Sequence, residues 1–82
     1  MFWTYIIYSE QFDKYYIGFT HDIESRLNAH NHPKNKGYTR KFKPWILVYS
    51  RGFDNKQDAM AHEKYLKSHK NKKAIHELIN KK

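Results

Sequence analysis

Tyr5, the adjacent pair Tyr15-Tyr16, Arg26, His30 and Glu63 are the side chains of this sequence whose types suit proton transfer and anion chemistry. If the two tyrosine-bearing segments pair as a hairpin, Tyr5 and Tyr16 would share one face of it. Ordinary core aromatics are the plain alternative. A guanidinium close to those phenols would favour a phenolate, so Arg26 counts as a candidate beside its alternative of a solvated helix residue. Glu63 is the only acidic residue between Asp58 and Glu77. One carboxylate, completed by waters and a phosphate oxygen, is an ordinary Mg²⁺ site; an ion pair with Lys67 at i, i+4 is the competing use. His30 has two readings as well, a structural histidine or a proton carrier. No His/Cys/Asp cluster has zinc-ligand spacing, and neither a phosphate-binding glycine loop nor a serine-nucleophile elbow is present.

These residues need elements to hold them. Residues 2–8 and 15–20 are rich in aromatic and β-branched types and predict two strands joined by the polar stretch Glu10 to Lys14. Gly18 interrupts the second strand, which marks either a bulge or a close backbone approach. A first helix follows, capped by Thr20 or Asp22, with Ile23, Leu27 and His30 on one face and Arg26 beside that stripe. Asn31 to Pro44 reads as a loop holding Pro33, Gly37 and Pro44 among Lys34, Lys36, Arg40, Lys41 and Lys43. A loop this long inside a small domain is more often functional than idle. Residues 45–50 predict a third strand. A second helix is capped by Asp54 or Asn55, with Gln57 a capping-box partner for Asp54. It carries Ala59, His62, Glu63 and Leu66 on one face, so a carboxylate sits at the edge of the buried side, where it needs a partner. A third helix over roughly 71–80 has Ile75, Leu78 and Ile79 as its stripe. The order β-β-α-β-α-α implies an α+β fold, a three-stranded, mainly antiparallel sheet with helices packed on it.

Composition sets the class. A chain of 82 residues predicts one domain, residues 1–82. Such a chain buries only about 60–65% of its unfolded surface, and its seven Tyr, five Phe and two Trp supply the large side chains a small core needs. The absence of cysteine excludes disulfides and thiolate metal sites and fits a reducing compartment. No apolar run approaches the ~18 residues of a membrane span, and the N-terminus lacks the pattern of a signal peptide; the expected location is the cytoplasm. The net charge of +8 is uneven. Residues 1–33 carry two basic against four acidic side chains, a balance of −2, and residues 34–82 carry 14 against four, a balance of +10. That half suits a polyanion.

Taken in order, these residues resemble the GIY-YIG nuclease family, in its short stand-alone bacterial branch related to the nuclease module of the excinuclease C subunit. Tyr16-Ile17-Gly18 matches the second half of the family name, and Trp3-Thr4-Tyr5 stands where Gly-Ile-Tyr would be. The helix from Thr20 to Asn31, with Arg26 and His30, is similar to the family's, as are Tyr38-Thr39-Arg40, Pro44-Trp45, Leu47-Val48-Tyr49 and Glu63-Lys64-Tyr65-Leu66-Lys67. Position 25 is Ser where many relatives have Lys, and His62 stands where Arg is common. The resemblance implies a metal-dependent DNA endonuclease, with a role in DNA repair as one setting. Tyr16 would take a proton from the attacking water with Tyr5 as its hydrogen-bonding neighbour. Arg26 would stabilise the transition state, His30 would assist proton transfer or orient the phosphate, and Glu63 would hold Mg²⁺ or Mn²⁺. Gly18 would let the backbone pass close to the site. The expected partner is nucleic acid, DNA above RNA, bound through Lys34, Lys36, Arg40, Lys41, Lys43 and the C-terminal lysines. No small-molecule cofactor is expected, and a partner protein is one source of specificity. Two further readings stand beside the enzyme: a non-catalytic nucleic-acid-binding module on the same fold, and a basic structural protein of a ribonucleoprotein.

Overall fold

The structure, a computed structural model, describes residues 1–68 and 72–80. The two N-terminal runs form β1 (Phe2–Ser9) and β2 (Lys14–Thr20), paired antiparallel. Asp13 closes the turn between them with φ 52°, in the left-handed region that Asp tolerates better than most residues. β3 (Ile46–Phe53) pairs antiparallel with the other edge of β1, giving the order β2-β1-β3. Trp45, the expected first residue of this strand, lies just outside β3, and the strand runs beyond Ser50 to Phe53. β1 is the central strand and is buried without interruption from Thr4 to Ile7. Such a run marks a strand covered on both faces, whereas alternation marks one face in water.

The helices divide between those faces. α1 (Ile23–Asn31) covers the face of Tyr5, Ile7 and Tyr16, where Trp45, Ile23, Leu27 and Phe42 complete a cluster. α2 (Lys56–Ser68) and α3 (Lys72–Asn80) cover the other face, where Ile6, Ile17 and Tyr49 pack with Leu66 and Ile75, flanked by Leu78 and Ile79. The β-β-α-β-α-α order and the antiparallel sheet agree with the sequence reading; residue 71, the expected start of the third helix, lies outside the described residues.

Three local features decide between alternatives that the sequence leaves open. Asp22 caps α1 by accepting from the Ser25 N–H, while Thr20 accepts from the Asp22 N–H. Asn55 and Asp58, rather than Asp54 and Gln57, start α2: Asn55 Oδ1 accepts from the Asp58 N–H and its amide donates back to the Asp58 carboxylate. The β1–β2 register also runs unbroken past Gly18. The irregularity falls between β1 and β3, where Ile6 faces Tyr49 and Ile7 faces Leu47, leaving Val48 as the extra residue. Gly18 is thus a close approach and not a bulge.

Candidate active site

Tyr5 faces Gly18 across the hairpin and Tyr16 faces Ile7. The two tyrosines are accordingly diagonal neighbours on one face, with ring centroids 6.5 Å apart. The hydroxyl end of the Tyr5 ring lies over Gly18: a Cβ there would stand 2.7 Å from Tyr5 Oη and 2.9 Å from Cζ. Glycine at this position is what lets the phenol reach over the neighbouring strand.

Tyr5 is 2% exposed, and its hydroxyl is hydrogen-bonded to His30 Nε2 at 3.0 Å. Burial holds its pKa above the ordinary 10, an effect the nearby Arg26 opposes and the negative Glu63 adds to. Tyr16 is only half-buried, and its ring lies 5.0 Å from that of His30. His30 itself is buried in the last turn of α1, and burial together with the charge of Arg26 lowers its pKa from the ordinary 6.5, which favours a neutral imidazole. Arg26 is exposed one turn earlier on the same helix. With Thr20, His21, Asp22, Ser25 and Ala29 it lines an open cleft of about 190 Å³.

The other imidazole nitrogen of His30, Nδ1, is hydrogen-bonded to Thr39 Oγ1 at 2.9 Å. Thr39 is buried in a short 3-10 segment, Tyr38–Phe42, inside what the sequence reads as plain loop. That segment is held by two asparagines. Asn35 accepts from the Gly37 N–H and donates both to Thr39 Oγ1 and to the His30 carbonyl. Asn31 grips the backbone of Trp45 from both sides, accepting from its N–H at 2.7 Å and donating to its carbonyl at 3.0 Å. The Trp45 indole in turn donates to the Thr39 carbonyl. Sequence reasoning missed Asn31, Asn35 and Thr39 as site residues. The signal was the pair of asparagines flanking Pro33, with Gly37 two residues after Asn35, a spacing that suits an Asx turn.

Glu63 comes from the layer on the opposite face of the sheet. Its side chain is 16% exposed and pairs with Lys67 at 3.5 Å, so the i, i+4 ion pair is present. The carboxylate nevertheless lies within electrostatic reach of the Tyr5 phenol. Among the described residues no group of three or more His, Asp or Glu is placed to hold a metal. A lone, nearly buried carboxylate still fits Mg²⁺, which keeps several waters and binds through one or two carboxylates plus substrate phosphates.

Of the basic loop, Lys34, Lys36, Arg40 and Lys41 are exposed. Lys43 is half-buried, and its ammonium donates to the His32 carbonyl at 3.1 Å, closing the end of α1. Lys70, Lys81 and Lys82 of the C-terminal group lie outside the described residues. No described helix is long and apolar enough to cross a membrane.

Comparison with known proteins decides the kinship. A profile described as the GIY-YIG catalytic domain matches residues 1–76. The chain belongs to the GIY-YIG family. This GIY-YIG chain is 46% identical over 56 residues to a UPF0213 protein of Streptococcus pneumoniae, a match covering 68% of the chain and 57% of that relative. A UPF0213 protein of Streptococcus agalactiae is 41% identical over 68 residues, covering 68% of the chain and 77% of the relative. The solution NMR structure of a UPF0213 protein from Bacillus halodurans superposes with a TM-score of 0.60 at 30% identity, covering the whole chain and 86% of that structure. The chain thus spans little more than half the length of the first of these relatives. Membership carries a nuclease-type catalytic fold.

Proposed function

We propose that this GIY-YIG domain is a metal-dependent endonuclease that hydrolyses phosphodiester bonds in DNA. The observation that carries the reading is the meeting of two phenols, one buried imidazole and one guanidinium on a single face of the sheet. Binding alone requires no such set.

The geometry divides the roles. Tyr5 is closed off from solvent, whereas Tyr16 is accessible, so Tyr16 is the phenol that can meet a water molecule. In this scheme the oxygen of that water bonds to phosphorus as its proton passes to Tyr16 Oη and the phenol's own proton leaves to solvent, while the bond from phosphorus to the departing sugar oxygen breaks and that oxygen takes a proton from solvent. Arg26, exposed beside the cleft, faces the phosphoryl oxygens and neutralises the charge that develops on them. Tyr5 and His30 form a buried hydrogen-bonded pair behind Tyr16. The imidazole, joined to the Tyr5 hydroxyl at one nitrogen and the Thr39 hydroxyl at the other, can exchange a proton with Tyr5 and orients that phenol. Glu63 would hold the Mg²⁺ or Mn²⁺; when bound, such an ion supplies Lewis acidity at the phosphate and lowers the pKa of its own waters. The Lys67 ammonium competes for the same carboxylate, and that pair is the observation that favours the second reading, a non-catalytic module bound to nucleic acid.

Cleavage of a panel of branched, nicked and single-stranded substrates with Mg²⁺ or Mn²⁺ separates the two. Tyr16→Phe keeps the ring and deletes one hydroxyl, so its rate should fall by about 10²–10⁴, the contribution of a general base, with affinity within a few-fold. Glu63→Ala should lose the metal-dependent activity. Normal cleavage by Tyr16→Phe would transfer the base role to His30. A wild-type chain that binds but cuts nothing would establish the binding module.

A further inference from the structure

We propose that Tyr38, Phe42 and Phe12 form a stacking platform for the bases of an unpaired polynucleotide strand, leading toward Tyr16. The inference rests on the nucleic-acid reading above and names the structural class of substrate.

Three rings meet on the surface from two separate segments. Tyr38 opens the 3-10 segment and is 65% exposed, and Phe12, in the β1–β2 turn, is 43% exposed. Both pack on Phe42, with centroids 5.2 Å from Tyr38 and 5.4 Å from Phe12. Phe42 also touches Trp45 at 6.3 Å, and Trp45 touches Tyr16 at 6.4 Å. The aromatic contacts therefore run without a break from an exposed end to the accessible phenol of the candidate site. A chain this small has need of its large rings inside, so two of them left in water invite a partner.

Charge identifies the partner's chemistry. Lys14 places its ammonium 6.0 Å from the Phe42 centroid, and the exposed Arg40 and Lys41 belong to the same 3-10 segment as Tyr38. Residues 34–43 hold five basic and no acidic side chains. The hairpin turn that carries Phe12 also holds Glu10 and Asp13, and the Asp13 carboxylate accepts a hydrogen bond from the Tyr8 hydroxyl. Flat π-faces beside a run of cations match a strand whose bases stack and whose phosphates are neutralised, the combination that marks single-strand binding. In a duplex both faces of each base are already covered by neighbours. The platform therefore selects flaps, frayed ends, loops or free strands over continuous double helix.

The test is equilibrium binding of the whole chain in metal-free buffer to three probes: an oligothymidylate, an abasic deoxyribose-phosphate strand of the same length, and a blunt hairpin duplex. The oligothymidylate should bind tightest. Tyr38→Ala should weaken it about 5- to 140-fold, the range spanned by stacking of one base, and leave the abasic strand unchanged; Tyr38→Phe should bind as wild type. Equal affinity for the abasic and base-bearing strands, a duplex bound as tightly as the single strand, or an unaltered Tyr38→Ala would each overturn the proposal. So would concentration-dependent self-association that Tyr38→Ala abolishes, because the rings would then face a second copy. Since no metal is present, a chain that fails every cleavage assay can still pass this test, and a chain that cuts duplex without needing Tyr38 fails it.

Discussion

Replacing Gly18 by alanine sets two physical arguments against each other, and they differ in sign. On backbone grounds alone, alanine in a strand gains about 0.5–1 kcal/mol over glycine, because the unfolded chain loses freedom. The packing argument opposes it. The added Cβ would stand 2.7 Å from Tyr5 Oη, 2.9 Å from Cζ and 3.2 Å from Cε1. The two shortest of these lie well inside the 3.5–4.0 Å optimum for carbon contacts. The Tyr5 ring cannot simply retreat, since it is 2% exposed and its hydroxyl is tied to His30. Overpacking of this kind costs about 1–3 kcal/mol, and displacing the hydroxyl from His30 adds about 1 kcal/mol. The net expectation is a loss of roughly 1–3 kcal/mol, or a fall of about 5–20 °C in Tm for a domain of this size. Thermal and urea denaturation of wild type, Gly18→Ala, Tyr5→Phe and the double variant measure it. Removing Oη relieves the shortest contact, so the double variant should be more stable than the sum of the singles predicts, by about 0.5–1.5 kcal/mol. A Gly18→Ala protein as stable as wild type, or more stable, would refute the placement of the Tyr5 ring over Gly18 and with it the geometry of the site.

The remaining expectations concern charge, tautomer and pH. Thr39→Val removes the hydroxyl bonded to His30 Nδ1; cleavage should lose kcat more than KM and shift its pH profile, with Thr39→Ser restoring both, whereas an unshifted profile would leave Thr39 a purely structural residue. Nucleic-acid affinity should fall with salt at a log–log slope of about −3.5 to −4.5 if roughly five phosphates are contacted, and a flat titration would dismiss the polyanion. Stability should drop as pH falls below about 6.5. Burial, then Arg26 for His30 and Arg51 for His62, lowers both pKa values in the folded state. The unfolded chain therefore takes up protons that the folded chain refuses, and stability present above the unfolded value is lost on acidification. Urea midpoints that stay constant from roughly pH 7 to 5 would contradict this, and His30→Gln should flatten the dependence in part.

Much of the architecture was legible in the sequence because it is local. Runs of aromatic and β-branched residues mark the strands, the polar stretch between them marks the turn, and the stripes Ile23-Leu27-His30 and Ala59-His62-Glu63-Leu66 report which helix faces are buried whatever the chain packs against. The two-sided charge distribution needs no coordinates either. The motif residues in order were enough to reach the family.

Tertiary structure decided the rest, and the reason is that hydrogen bonds and strand register join residues far apart in sequence. A glycine in a strand has two local explanations, and only the unbroken β1–β2 register, with the hydroxyl end of the Tyr5 ring over Gly18, selects close approach over a bulge. The stretch from Asn31 to Pro44 looks unstructured because its order comes from side-chain amides: Asn31 on the Trp45 backbone, Asn35 on Thr39 and the His30 carbonyl. Those bonds bring Thr39 to His30, a contact that no periodicity encodes. Glu63 shows the same limit from the other side. Its i, i+4 pairing with Lys67 is a property of the helix and is readable in the sequence, whereas its approach to Tyr5 depends on how a helix on one face of the sheet is set against a phenol on the other.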